Sequence, residues 1–299
     1  MSIVVVGSVA LDSIETPSGR ADEVLGGSAA YFAVAASYFA PVNLVAVVGE
    51  DFPEEAKATL VSPTINLDGL EVYPGRTFRW TGRYNENLNM RDTLDLQMNV
   101  LSDFAPQLSE QYRQTPFVFL GNIDPGLQIR VLDQLAQPRL VGCDTISHWI
   151  ENERPALEAV LKRVDVLIIN DEEARMISGE HNVVRAARQI LTMGPKTLLV
   201  KRGEYGVLLF SPQSVFAVPA YPLEKVSDPT GAGDSFAGGF LGYLAESNDV
   251  SEAGLRKAIV YGSAVASFTV EDFSLRRLQS LTRGDIEQRY RQFVSLTKF

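Results

Sequence analysis

A short segment near the carboxyl terminus holds the residues best suited to chemistry. It reads Asp228-Pro229-Thr230-Gly231-Ala232-Gly233-Asp234 and runs into Ser235–Leu244, which has the apolar spacing of a helix. Small residues let the backbone approach a phosphate closely, and the first N–H groups of a helix, together with its dipole, favour an anion. The segment therefore predicts an anion hole made by the amides of Gly231, Ala232 and Gly233.

Asp234 ends this segment. Taken alone, a carboxylate in the first turn of a helix only complements the dipole, which contributes about 0.3–1 kcal/mol. Beside amides that bind phosphate its charge repels the phosphate, unless it has a proton to take from an attacking hydroxyl. By itself the segment therefore predicts only an anion-binding helix start, with Asp234 as a candidate general base.

A second glycine turn lies near the start of the chain, where Gly26-Gly27-Ser28 opens the predicted helix Ala29–Phe39. Its backbone groups could hold a polar substrate, or Ser28 could simply cap the helix, and the segment alone leaves both open. Asp12 follows the first predicted strand, where an open α/β sheet places ligand groups. A carboxylate there can accept hydrogen bonds from two hydroxyls.

Short β-branched runs alternate with segments of helical spacing. The predicted strands are Ile3–Val6, Leu44–Val48, Phe117–Leu120, Leu140–Cys143, Val166–Ile169, Thr197–Val200 and Val207–Phe210. The predicted helices are Ala29–Phe39, Pro155–Arg163, Glu172–Ile177, Val183–Met193, Ser235–Glu246, Ser251–Phe268 and Arg283–Phe293. This alternation is typical of βαβ units, so the fold class is α/β with a central, mainly parallel sheet flanked by helices.

One stretch, Leu70–Val100, departs from this rhythm because it is polar and aromatic and alternates like a half-exposed strand around Trp80 and Tyr84. A surface hairpin without a role is one interpretation. A lid is favoured, because two large aromatic side chains exposed on a surface hairpin would serve no purpose unless they cover a bound molecule. We expect a single domain over residues 1–299, with a small β-sheet lid formed mainly by about residues 70–100.

The composition narrows the class of protein. The 299 residues carry a net charge of −10, which opposes non-specific binding to nucleic acid or to anionic membranes. No basic region precedes the first apolar run, and no run of roughly 20 mainly apolar residues occurs, so we expect no signal peptide, no membrane span and a cytoplasmic location. The single cysteine, Cys143, lies in an apolar stretch and is expected to be a buried hydrophobe.

The two glycine signatures, in this order and separation, resemble those of the ribokinase/PfkB family of carbohydrate and nucleoside kinases. Other matches extend the resemblance over essentially the whole chain: Gly7-Ser8 with Asp12, Gly49-Glu50-Asp51, Asn170-Asp171-Glu172-Glu173 and Lys201-Arg202-Gly203. The resemblance implies a ribokinase-like fold with a β lid, and an ATP-dependent kinase acting on a hydroxyl of a small molecule.

The resemblance also implies roles for individual residues. Asp234 is the expected general base, beside the anion hole of Gly231, Ala232 and Gly233. The remaining expected contacts are Asn170 and Glu173 for Mg²⁺ through water and for nucleotide phosphates, Lys201, Gly203 and Thr230 for the nucleotide, and Asp12, Gly26, Gly27, Ser28 and Tyr31 for the substrate. The lid is expected to cover the substrate and to offer a surface for a homodimer.

The chain departs from the family pattern at several places. Ala10 and Tyr31 stand where typical sugar kinases of the family carry asparagine, so two amides that bond hydroxyls are missing. The substrate is then less hydroxylated than ribose, or it stacks an aromatic base on Tyr31, Trp80 or Trp149. Asp228 and Thr230 match part of a monovalent-cation site, but the loop Val270–Ser274 lacks the usual glycine, which argues against activation by potassium.

These inferences favour an ATP-dependent sugar kinase that also needs Mg²⁺. A nucleoside kinase of the same family is the alternative, because the asparagines are missing and aromatic side chains are available. A ligand-sensing relative without catalysis is more remote, because the Asp228–Asp234 segment is intact. A dinucleotide-dependent oxidoreductase is excluded, because no Gly-x-Gly-x-x-Gly follows Val6.

Overall fold

A computed structural model describes residues 1–298 and divides the chain into two compact units. The first unit combines residues 1–104 with the chain from Tyr221 onward, and the second spans Ala105–Ala220. Within the part of the chain that the structure describes, no helix is both long and apolar enough to cross a membrane.

The strands alternate with helices along most of the chain. The strands are β1 Ile3–Val6, β2 Ala10–Thr16, β3 Gly19–Gly26, β4 Val42–Gly49, β5 Ile65–Tyr73, β6 Arg79–Tyr84, β7 Arg91–Gln97, β8 Phe117–Leu120, β9 Leu140–Asp144, β10 Val166–Asn170, β11 Thr197–Lys201, β12 Val207–Phe210 and β13 Val215–Val218. The helices are α1 Ser28–Ser37, α2 Glu54–Leu60, α3 Glu110–Arg113, α4 Pro125–Gln134, α5 Ser147–Asn152, α6 Arg154–Leu161, α7 Asp171–Ser178, α8 Val183–Thr192, α9 Ala232–Ser247, α10 Glu252–Thr269, α11 Arg276–Gln279 and α12 Arg283–Leu296. Two 3-10 turns, Asn99–Asp103 and Gly203–Tyr205, complete the set.

Parallel pairing dominates the main strands of both units. In the first unit β4 pairs in parallel with β1 and with β5. In the second unit β8, β9, β10 and β11 are parallel neighbours, and β12 and β13 add an antiparallel edge. Strands β1, β4, β8 and β9 are buried throughout, as expected for parallel strands covered on both faces. The predicted α/β class with a mainly parallel sheet is confirmed.

Three glycines inside α9 mark close helix packing in the first unit. A Cβ atom on Gly238 would lie 2.5 Å from the carbonyl oxygen of Phe32 in α1, and one on Gly239 would lie 3.0 Å from Cα of Gly262 in α10. At Gly242 it would lie 2.9 Å from the Phe39 ring. Glycine costs about 1 kcal/mol relative to alanine in a helix, and here the backbones of α1, α9 and α10 approach too closely for any side chain.

A small separate sheet has the strand order β3-β2-β6-β7. Strand β2 is antiparallel to β3 and parallel to β6, and β7 is antiparallel to β6. The expected lid stretch supplies only β6 and β7, because Leu70–Tyr73 continues β5, which pairs with β4. The other half of the sheet comes from β2 and β3, where no strand was predicted, so Asp12 lies within a lid strand rather than just beyond β1.

A buried threonine ties the end of β4 to the start of β6. Thr77 is fully buried, and its hydroxyl donates to Oδ1 of Asp51 (2.8 Å) and accepts from the N–H of Gly49 (3.0 Å). The N–H of Thr77 also donates to Asp51 (2.7 Å), whose other oxygen lies 2.8 Å from the Arg79 guanidinium. The Gly49-Glu50-Asp51 motif thus anchors the base of the small sheet.

We expect Thr77→Val to destabilise the protein by about 1–3 kcal/mol, because it keeps the shape but leaves the buried N–H of Gly49 and the partly exposed Asp51 carboxylate without this partner. Urea unfolding measures the change. The matched control is Thr59→Val in α2, where the hydroxyl bonds only the helix carbonyl of Glu55, and it should change stability by less than about 0.5 kcal/mol. Equal effects of the two substitutions would contradict the anchoring role.

Candidate active site

The Asp228–Asp234 segment forms the start of α9, as predicted. Gly231 is the N-cap, with φ of 74°, a left-handed conformation that favours glycine. Helix α9 begins at Ala232, whose N–H also contacts the carbonyl of Pro229 at 3.3 Å. Asp234 lies in the first turn and is partly exposed. The amides of a helix start and one carboxylate are thus brought to the same place.

Asp228 is buried and shapes the turn. Its Oδ1 accepts from the N–H of Thr230 (2.8 Å), and its Oδ2 accepts from the N–H of Ser274 (3.4 Å). Burial raises the pKa of Asp228, and the bonds from Thr230 oppose that rise. Ser274 has φ of 57°, so the loop without glycine still adopts a left-handed conformation at this residue. Asp228 therefore fastens the loop Val270–Ser274 against the start of α9.

The glycine turn before α1 brings the backbone close to two neighbours. A Cβ atom on Gly26 would lie 1.9 Å from Oδ2 of Asp12, and one on Gly27 would lie 2.5 Å from the carbonyl oxygen of Ser8. Gly27 also has φ of 94° and is the N-cap of α1. Only glycine fits either position, because any side chain would overlap Asp12 or the Ser8 backbone.

The interpretation of Ser28 as a helix cap is wrong. Helix α1 has no side-chain cap, and the Ser28 hydroxyl instead accepts from the N–H of Ser8 at 3.1 Å. The Ser8 hydroxyl accepts in return from the N–H of Ser28 at 3.0 Å. This reciprocal pair joins the segment after β1 to the start of α1.

Asp12 is the most perturbed carboxyl group of this site. It is 4% exposed, and burial, followed by the charges of Asp228 and Asp234, raises its pKa from 3.8 to about 8. A hydrogen bond from the Gly27 N–H and the charge of Arg91 oppose the rise. These mutual effects mean that three carboxyl groups lie within electrostatic range of one another, and that Asp12 is mostly protonated at neutral pH.

Tyr31 lies between the two signatures. Its side chain is 1% exposed, and a Cβ atom on Gly231 would lie 2.4 Å from three atoms of its ring, so the ring lies flat against the catalytic turn. Within residues 1–298 the Tyr31 hydroxyl has no hydrogen-bond partner. Burial, then the charges of Asp228 and Asp12, raises its pKa, so the hydroxyl keeps its proton. Because the ring is buried, Tyr31 offers no open face for a stacked base, contrary to one expectation from the sequence.

One face of the small sheet adds residues that the sequence analysis missed. Tyr84 is buried, and its hydroxyl lies 3.2 Å from Oγ1 of Thr230. Arg91 is opposite Tyr84 in the strand register, so that burial raises the pKa of the Tyr84 hydroxyl while the nearby charge of Arg91 opposes that rise. The alternation around Trp80 and Tyr84 predicted a strand, but nothing local in the sequence pairs Tyr84 with a residue more than a hundred positions away.

The expected nucleotide residues lie together in the second unit, at the carboxyl ends of parallel strands. Asn170 ends β10 and is opposite Lys201, which ends β11. Asn170 and Glu173 form a capping box at the start of α7, in which each side chain accepts from the backbone N–H of the other (2.7 and 2.8 Å). Nζ of Lys201 lies 3.4 Å from Oδ2 of Asp144, a carboxylate that the sequence analysis did not single out.

The other predicted residues of the second unit have simpler surroundings. Gly203 opens a 3-10 turn with φ of 53°. The Trp149 indole N–H donates to Oδ1 of Asn122 at 2.9 Å. Cys143 is buried, as predicted, and burial raises the pKa of its thiol, which excludes a reactive thiolate at neutral pH.

A helix start shaped for phosphate, beside carboxyl groups that can hold hydroxyls, defines the site of a phosphotransferase. Comparisons agree with this class. Residues 1–280 match the family model described as pfkB family carbohydrate kinase. A cytidine kinase of Thermococcus kodakarensis is 32% identical, with 86% of this chain and 95% of that protein covered.

Solved structures share the fold over nearly the whole chain. A nucleoside kinase of Burkholderia thailandensis in complex with inosine has a TM-score of 0.79 at 18% identity, covering 98% of this chain and 99% of that one. Arabidopsis thaliana ribokinase complexed with ribose and ATP has a TM-score of 0.78 at 20% identity, covering 96% and 98%. The chain belongs to the pfkB family of carbohydrate kinases, and it is a kinase that transfers phosphate to a hydroxyl group.

The raised pKa of Asp12 predicts a pH-dependent stability. The pKa of Asp12 is about 8 in the folded protein and 3.8 for a free aspartate. The protonated Asp12 therefore contributes its full stabilisation below about pH 4, and this contribution is lost as the pH rises to about 8. Asparagine has no proton to lose. In thermal unfolding, the stability of Asp12→Asn relative to wild type should therefore rise between about pH 5 and about pH 8.

The control for this series is Asp22→Asn in β3, whose carboxylate side chain is 56% exposed. Its stability relative to wild type should not change over the same pH range. A flat difference for Asp12→Asn as well would show that Asp12 is ionised in the folded protein.

The unpaired hydroxyl of Tyr31 predicts opposite effects on stability and on substrate binding. Tyr31→Phe removes a buried polar group without a partner, so the melting temperature of the free protein should stay the same or rise. The KM for the acceptor substrate should rise, because the sequence predicts Tyr31 at the substrate and its hydroxyl has no partner among the described residues. Tyr38→Phe is the control: its hydroxyl bonds the Leu278 carbonyl, so that variant should lose stability and keep its KM. Lower stability with an unchanged KM for Tyr31→Phe would assign Tyr31 a structural role only.

Proposed function

We propose that this protein is an ATP-dependent nucleoside kinase, and that cytidine is the first acceptor to test. The observation that carries the proposal is the indole of Trp80, which lies across Gly82 on the lid face that also holds Asp12. A Cβ atom on Gly82 would lie 2.1 Å from the six-membered ring of that indole. A flat aromatic surface beside a group that binds hydroxyls suits a base attached to a ribose.

The residues that we propose to bind the acceptor lie in the first unit. A protonated Asp12 can donate one hydrogen bond and accept others, so it can hold two hydroxyls of a ribose. The Tyr31 hydroxyl adds a donor at the same place. Asp234 takes the proton of the attacking hydroxyl, and the amides at the start of α9 stabilise the charge that develops on the transferred phosphate.

The residues that we propose to bind the phosphate donor, ATP, lie in the second unit. Lys201 supplies a positive charge for nucleotide phosphates, and Asn170 and Glu173 supply amide and carboxylate oxygens, the ligand type that Mg²⁺ takes directly or through water. That donor set fits Mg²⁺ bound with ATP. When bound, the ion would neutralise phosphate charge, and the protein would supply the position of the phosphates.

A sugar kinase was the first expectation from the sequence. Asp12 would bind the hydroxyls of free ribose and of a nucleoside equally well, so this residue does not distinguish a sugar kinase from a nucleoside kinase. The replacement of asparagine by Ala10 and Tyr31 removes amides that would bond additional hydroxyls, whereas Trp80 offers a surface that a free sugar does not need. The relative named cytidine kinase, matched over 95% of its length, supports the same choice.

Asp234→Asn tests the chemistry. Loss of a general base costs about 10²–10⁴ in rate, so kcat for ADP release with cytidine should fall by at least about a hundredfold. Affinity for ATP should change little, because Asp234 acts on the acceptor hydroxyl. The control is Asp68→Asn, which changes an exposed carboxylate elsewhere in the first unit and should leave kcat unchanged. Turnover close to wild type in Asp234→Asn would remove Asp234 from the mechanism.

A further inference from the structure

The lid face that carries Asp12 holds a fixed aromatic plane. Trp80 is opposite Asp12 in the register of β2 and β6. Its indole lies over Gly82, and its N–H donates to the Thr93 hydroxyl at 3.2 Å. With one face on the sheet and the nitrogen held by β7, the indole has a defined orientation and turns its other face away from the sheet.

Arg91 stands next to this plane. Its guanidinium carbon lies over the Trp80 ring, 5.6 Å from the centroid. Arg91 is also opposite Tyr84 in the strand register, and the Tyr84 hydroxyl contacts Thr230 of the Asp228–Asp234 segment. The charge of Arg91 also lowers the pKa of Asp12, so the two groups are within electrostatic range. A cation thus lies beside both the aromatic plane and the residue expected to hold the ribose.

A guanidinium is selective about what it can bind. It carries five N–H donors in a planar fork and no acceptor, so it pairs best with two adjacent acceptors. Among the Watson–Crick edges of the common bases, cytosine alone presents two adjacent acceptors, N3 and O2. Uracil places an N–H donor at N3, and adenine places an amino group beside N1. With five donors, the fork has enough for a base even where one of them is turned toward Tyr84.

We propose that Trp80 and Arg91 form a base-recognition site in which the indole stacks on the base and the guanidinium donates to N3 and O2 of cytosine. This inference rests on the proposed nucleoside kinase function and names the residues that select the base. Tyr84 is the register partner of Arg91 and bonds Thr230, so the proposed base site lies one residue away from the Asp228–Asp234 segment.

Steady-state kinetics of Arg91→Ala with cytidine, uridine and ribose test the proposal. For cytidine, kcat/KM should fall by about tenfold or more, the usual cost of losing a bidentate contact to a base, and the preference for cytidine over uridine should shrink by a similar factor. Ribose, which has no base, should lose much less. The matched control is Arg83→Ala. It removes the same charge, but Arg83 pairs with Glu15 on the opposite face of the same sheet. Equal losses for cytidine and ribose, or equal losses in the two variants, would overturn the proposal.

Fluorescence supplies a readout of binding without turnover. The chain has two tryptophans, so Trp149→Phe leaves Trp80 as the only indole. Cytidine should quench its emission, and Arg91→Ala should weaken the quenching midpoint by about tenfold. If wild type phosphorylates ribose but no nucleoside, the proposed function fails. If cytidine is phosphorylated but leaves Trp80 emission unchanged, only the base-recognition site fails.

Discussion

The closeness of three carboxyl groups, two of them buried, is the constraint on which the rest of the site depends. Asp12, Asp228 and Asp234 repel one another when charged, and the protein stabilises each carboxyl group in a different way. Asp12 keeps its proton up to about pH 8, Asp228 is held by backbone N–H groups of Thr230 and Ser274, and Asp234 lies in the first turn of a helix, where the dipole favours its charge. This arrangement supports the proposal that Asp234, rather than Asp12 or Asp228, is the carboxylate that accepts a proton.

Close backbone approach joins the two signatures into one structure. The ring of Tyr31 in α1 lies on Gly231 at the start of α9, and Gly238 lets the two helices touch further along. The groups proposed to orient the acceptor and the amides proposed to receive phosphate are therefore held by the same helix pair. Precise mutual placement of reacting groups is what phosphoryl transfer requires of a protein, because little covalent chemistry is left to it.

Local patterns in the sequence predicted much of the fold and part of the site. Strands such as Phe117–Leu120 were predicted with the bounds that the structure shows, because buried parallel strands are continuous β-branched or aromatic runs between Gly and Pro. The start of α9 was predicted because its glycines act locally. In contrast, β2 and β3 were missed: β2 is largely buried but includes polar residues such as Asp12, β3 is mostly polar, and neither matches a simple alternation. The contacts of Ser28 with Ser8 and of Tyr84 with Thr230 depend on tertiary packing, which single-sequence patterns do not contain.

Direct competition between acceptors tests the central claim, that this site phosphorylates a hydroxyl of a nucleoside. Wild-type protein would receive equal concentrations of cytidine and ribose with limiting ATP and Mg²⁺, and mass spectrometry would identify the phosphorylated product. The account predicts cytidine monophosphate as the dominant product, with its phosphate on the primary 5′ hydroxyl. Ribose phosphate as the dominant product would contradict it.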